Sequence, residues 1–153
     1  MKPYRLIVLF FTSFLLSQTA IAESTLTFEN VWIAEAPPSS SVMVAYMTIN
    51  NASDQITKII SATSSSFKSI SFHQTKHEDD MAKMEHMSTL TIPAKGNLVL
   101  KAGSHHIMLF NPVKKLKAGD QVVLDLKLEN GDIINLNVPV KKQQMDHSSH
   151  MHH

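Results

Sequence analysis

Val42-Met43-Val44-Ala45-Tyr46-Met47-Thr48-Ile49-Asn50 is the stretch on which the fold turns. Val42, Val44, Tyr46 and Thr48 occupy alternate positions, and Met43, Ala45, Met47 and Ile49 fill the places between. In an extended chain the two sets leave opposite faces, so the run predicts a strand. Working outward, similar short runs occur at 25–34, 56–61, 69–74, 88–92, 97–101, 106–110, 121–128 and 133–140. Turn-forming segments separate them, among them Asn51-Ala52-Ser53-Asp54, Ala94-Lys95-Gly96, Ala102-Gly103-Ser104 and Ala118-Gly119-Asp120. Asn130-Gly131 between the last two runs predicts a hairpin with a type I′ turn, and Pro37-Pro38 predicts a loop. Eight or nine short strands at near-regular spacing predict an all-β antiparallel sandwich or barrel.

The chain has 153 residues, 43% of them hydrophobic, enough for one domain with its own core. Residues 1–22 read as a secretory signal peptide: Lys2 and Arg5, an apolar run from Leu6 to Ser17, and Ala20-Ile21-Ala22 before the expected cut. The apolar run is too short for a permanent membrane anchor, and without a cysteine after it a lipid anchor is not expected. Residues 23–142 are expected to form the domain, and residues 143–153, where strand periodicity stops, a disordered tail. The expected location is the bacterial periplasm. With zero Cys, such a domain rests on burial and not on disulfides. Beyond residue 22 there is no Arg, and the formal charge is near zero, which argues against nucleic acid as a partner.

Histidine and methionine carry the chemistry. All nine His and eight of the nine Met follow residue 22. His106 and Met108 stand two apart in a predicted strand, so both side chains leave one face with Cβ atoms roughly 6–7 Å apart. Upstream lie His73, His77, Met81, Met84, His86 and Met87. Thioethers are soft, neutral ligands that favour Cu(I) over Zn(II), Mg(II) or Ca(II), and imidazole adds affinity. Met43 and Met47 read as core residues. Without a cysteine thiolate a blue-copper electron-transfer centre is excluded.

His73, Met84, His106 and Met108 follow the pattern H-x10-M-x21-H-x-M. With Ile92-Pro93-Ala94, His106-Ile107-Met108-Leu109, Ala45-Tyr46-Met47-Thr48-Ile49-Asn50 and Leu116-Lys117-Ala118-Gly119-Asp120, this arrangement resembles the PCuAC family of periplasmic copper chaperones over about residues 27–140. The resemblance implies a cupredoxin-like Greek-key antiparallel β-sandwich that holds one Cu(I) at His73, Met84, His106 and Met108. It also implies delivery to the copper A centre of cytochrome c oxidase, with subunit II or another copper chaperone as acceptor. Such residues act as ligands, so no enzyme activity is expected. The other reading of the same donors is copper storage or tolerance without specific delivery. Met81, Met87, His77, His86 and His105 stay unassigned, although His105 should face away from His106 if the strand already begins there. In the tail, His147, His150, His152, His153, Met145 and Met151 are expected to capture Cu(II), which needs no preformed cage.

Overall fold

A computed structural model describes residues 25–78 and 81–143. The expected signal peptide, the tail donors from Met145 onward, and Asp79 and Asp80 lie outside the described residues. Ten strands account for the fold: β1 (Leu26–Ala34), β2 (Val42–Asn51), β3 (Thr57–Thr63), β4 (Phe67–Glu78), β5 (Met81–Met87), β6 (Leu90–Ile92), β7 (Asn97–Leu100), β8 (His105–Pro112), β9 (Gln121–Leu128) and β10 (Ile133–Lys141). They join in the order β5-β4-β8-β7-β2-β1-β10-β9-β3-β6, with β8 also pairing β2. All ladders are antiparallel except β1 with β10 and β7 with β8, where the chain returns beside a strand running the same way. The described residues are therefore all-β, as expected, with these two parallel contacts added to the expected antiparallel pattern.

Strand β2 shows how the sequence sets the layers. Met43, Ala45, Met47 and Ile49 are buried, and the alternate residues are half-buried on the other face. Opposite the β2 set, Val122, Leu124, Leu126 and Leu128 of β9 are buried with the same period, and both sets belong to one hydrophobic cluster. Met43 and Met47 thus fill the core, as expected of flexible apolar side chains. At the end of β2, Asn51 is one of the two buried polar residues among those described. Its amide donates to the carbonyls of Gln55 (2.8 Å) and Pro93 (3.1 Å), and its oxygen accepts from the Ser53 backbone N–H (3.0 Å). Burial is tolerated there because the amide's hydrogen-bonding capacity is used.

Two expectations need correction. The Asn130-Gly131 turn is not type I′, because that turn needs positive φ at both central residues and here only Gly131, at 96°, has it. Leu128 N–H donates to Asp132 O (2.8 Å) and Gly131 N–H to Leu128 O (3.0 Å), closing a three-residue loop with glycine at the left-handed position. The Asn130 side chain accepts from Asp132 N–H (3.0 Å), which explains asparagine beside the glycine without a positive φ of its own.

The second correction concerns residues 75–87. The sequence reading ended a strand at 74, whereas β4 continues to Glu78 and pairs with a strand β5 that periodicity did not predict. The reason is physical. Most of this hairpin's outer end is solvent-exposed on both faces, so burial imposes no apolar alternation on it. It is held by the backbone ladder, with Lys76 and Glu85 paired across it at 2.7 Å, and by Met87, packed against the core beside Phe72.

Candidate metal centre

The hairpin and β8 together build the site. On β4, His73 lies directly opposite His86 of β5 and, on its other side, His106 of β8. Ser71 is opposite Met108, and Thr75 is opposite Met84. Paired residues share a face and side chains alternate, so Ser71, His73, Thr75, Met84, His86, His106 and Met108 project from one surface of the sheet. Phe72 and Ile107, both buried, occupy the other surface and anchor the same strands to the core. All four residues of the sequence pattern are thereby brought to one face. His73 stands between the two flanking imidazoles, and Met84 and Met108 sit on diagonals to either side of it, within reach of long side chains.

The imidazoles are ordered by different means. His106 is only 5% exposed, and its Nδ1 lies 2.9 Å from the Ser104 carbonyl oxygen. A carbonyl can only accept, so Nδ1 carries the proton, and in the neutral ring Nε2 keeps its lone pair for a metal. That carbonyl also accepts from Thr75 N–H at 3.1 Å, which ties the β7–β8 turn to β4. The turn depends on Gly103 at φ 74°, a conformation in which any Cβ is strained.

His73 is held from the other end of its ring. Its Nε2 is 2.8 Å from Ser71 Oγ, and its Nδ1 is buried with no hydrogen-bond partner. Leaving a buried N–H without an acceptor is costly, so the proton belongs on Nε2, donated to Ser71, and the Nδ1 lone pair is left without a partner. An unpartnered, buried ring nitrogen with two imidazoles as cross-strand neighbours is a group able to take a metal ion. Burial lowers the His73 pKa below the usual histidine value, and charge on His106 or His86 lowers it further. Its ring therefore stays neutral, the form that binds metal, to lower pH than a free imidazole.

The ring centroids of His73 and His106 are 5.9 Å apart and nearly parallel, and those of His73 and His86 are 5.5 Å apart, edge to face. Among the described residues, no three His, Cys, Asp or Glu side chains already converge as a metal-binding group. A shell here would need the thioethers to complete it. Met84 is 55% exposed on the edge strand and Met108 is half-buried, so the two sulfur donors differ in access.

The unassigned donors separate cleanly. His105 pairs with Gln74, placing it on the face opposite His106. Met87 packs against the core, Met81 is 70% exposed at the hairpin end, and His77 pairs with Ala82 on the site's face but beyond Thr75. The sequence reading missed Ser71 and the Ser104 carbonyl, which orient rings without being ligands, and it left His86 without a place. A hairpin centred between residues 79 and 80 would have put 86 opposite 73, and that arithmetic was available.

On β1 and β2, the rings of Trp32 and Tyr46 meet at a tilt of 48° with centroids 5.1 Å apart. They line a shallow cleft of about 320 Å³ together with Val99, Lys101 and Gln143.

Comparison with known proteins gives this surface a context. The solution structure of Cu(I)-bound DR1885 from Deinococcus radiodurans is 35% identical, with a TM-score of 0.67 over 82% of this chain and 83% of that one. The copper-bound PCuAC domain of PmoF2, 18% identical with a TM-score of 0.65 over 78% of this chain and 94% of that one, shares the fold. "Putative lipoprotein Lxx21020" of Leifsonia xyli subsp. xyli is 31% identical over 111 residues, 72% of this chain and 66% of that protein, so the chain spans just under two thirds of its length. The lipoprotein in that name belongs to the relative, and this chain has no cysteine. A family model described as "Putative lipoprotein LpqE-like" matches residues 26–140. Fold, motif and match agree, and the chain belongs to the LpqE-like family, which is the PCuAC family.

Proposed function

We propose that this chain is a periplasmic copper chaperone that holds Cu(I) between His73, Met84, His106 and Met108 and delivers it to the copper A centre of cytochrome c oxidase. The observation that carries the reading is the gathering of these four separated residues on one face around a buried His73 nitrogen with no partner. Two imidazoles and two thioethers form a soft, uncharged donor set, suited to Cu(I) and to its release toward thiolates. Met84, exposed at a sheet edge, leaves one side of the ion open to an acceptor. Every residue in this arrangement acts as a ligand or orients one, so the chain works as a carrier and not as an enzyme.

Cu(I) transfer to an apo copper A domain tests delivery. We expect transfer faster than spontaneous dissociation of Cu(I) from the chain, because acceptor thiolates enter before the thioethers leave. Transfer no faster than dissociation would assign the chain to copper storage or tolerance.

In the same proposal, His147, His150, His152, His153, Met145 and Met151 capture Cu(II). Several imidazoles on one short segment can chelate Cu(II) without a preformed cage. Titration of Cu(II) into the chain with and without residues 143–153 should show extra equivalents only in the longer form. Equal stoichiometry would remove the segment from the account.

A further inference from the structure

The sequence pattern uses two imidazoles, but the structure aligns three. His86 stands directly across the ladder from His73, on the same face as His106, and its ring meets that of His73 edge-on at 5.5 Å. The three rings form a row running across β5, β4 and β8, with His73 in the middle. The two thioethers lie elsewhere: Met108 is displaced along the strands toward Ser71, and Met84 toward Thr75. Nitrogen and sulfur donors thus approach His73 from different directions.

We infer that His86 is a third imidazole ligand of this centre, engaged by Cu(II) and relinquished by Cu(I). The inference deepens the copper reading above and rests on it. Cu(II) favours nitrogen donors in a tetragonal plane, whereas Cu(I) accepts thioethers readily. An ion seated over His73 can be reached from one side by His106 and from the other by His86, because strands two apart in a sheet are separated by about 10 Å and each imidazole spans roughly half of that. His106 is fixed by the Ser104 carbonyl. His86 is solvent-exposed on an edge strand and is the ring free to turn. Among the described residues no three such side chains converge, so engaging His86 requires its ring to turn toward His73. The same face can hold both oxidation states by exchanging His86 for thioether, with no movement of β4 or β8.

The test uses the full chain with His147, His150, His152 and His153 each changed to Gln, so that Cu(II) is read at the folded face alone. Cu(II) affinity and nitrogen count come from titration and electron paramagnetic resonance, and Cu(I) affinity from competition with a chromophoric chelator. His86→Ala should weaken Cu(II) at least about tenfold and remove one nitrogen from its spectrum, while Cu(I) affinity changes less than about twofold. A tenfold loss confined to Cu(II) raises the one-electron reduction potential by about 59 mV. His86→Met, supplying a thioether in the same place, should raise it as well. Equal losses for both ions, or no loss for either, would overturn the role of His86. His73→Ala separates the proposed role of His86 from the copper site as a whole: it should weaken binding of both ions by more than about 100-fold, and if it weakens neither, the copper site itself is misplaced.

Discussion

Changing His73 to alanine is expected to reduce Cu(I) affinity by more than about 100-fold, beyond the 10- to 100-fold typical of losing only an orienting partner. The residue is central in register, flanked by His86 and His106 and diagonal to both Met84 and Met108, so it neighbours all four of the other proposed donors. The sandwich should survive the change, because His73 projects away from the core that Phe72 and Ile107 help fill. Ser71→Ala gives the graded comparison. It removes the 2.8 Å contact that holds the ring and its tautomer but leaves the Nδ1 lone pair in place, so a loss of about tenfold is expected. Competition against a Cu(I) chelator measures both. If Ser71→Ala cost as much as His73→Ala, Ser71 would be more than an orienting partner.

Phe72→Ala should act through the fold and not through the ligands. Phe72 is 3% exposed, on the core side of β4 between two residues that face the site. Emptying its place is expected to destabilise the domain by about 3–5 kcal/mol, a large part of the 5–15 kcal/mol that a domain of this kind possesses. Denaturant unfolding would show a lower midpoint with an unchanged slope. Protein that remains folded should bind Cu(I) close to normally, because β4 still pairs with β5 and β8 through its backbone. A stability change below about 1 kcal/mol would mean that the hairpin is not anchored through this ring.

Sequence was informative where burial imposes a period. Met43 and Met47 on β2 could be assigned to the core and residues 121–128 to a strand, because one face of each strand excludes water and leaves an apolar period of two. It was uninformative at β5, where Met81–Met87 is mostly exposed and reads as a string of polar residues and methionines. The spacing of His73, Met84, His106 and Met108 could be read directly, and the proposed ligand set came from the family resemblance that this spacing carries. The pairing that gives the spacing its geometry could not be read, because it depends on the same hairpin. Ser71 and Ser104 escaped for another reason: a hydroxyl and a backbone carbonyl acquire their roles only when the chain places them beside a ring nitrogen.

The donor atoms around the ion decide whether copper sits on this face. X-ray absorption on the chain loaded with one equivalent of Cu(I) counts them. It should give sulfur scatterers at thioether distance together with imidazole nitrogens, two of each, and lose nitrogen in His106→Ala and sulfur in Met108→Leu. A shell of nitrogen and oxygen alone, unchanged by both substitutions, would place copper somewhere other than the face that β4, β5 and β8 share.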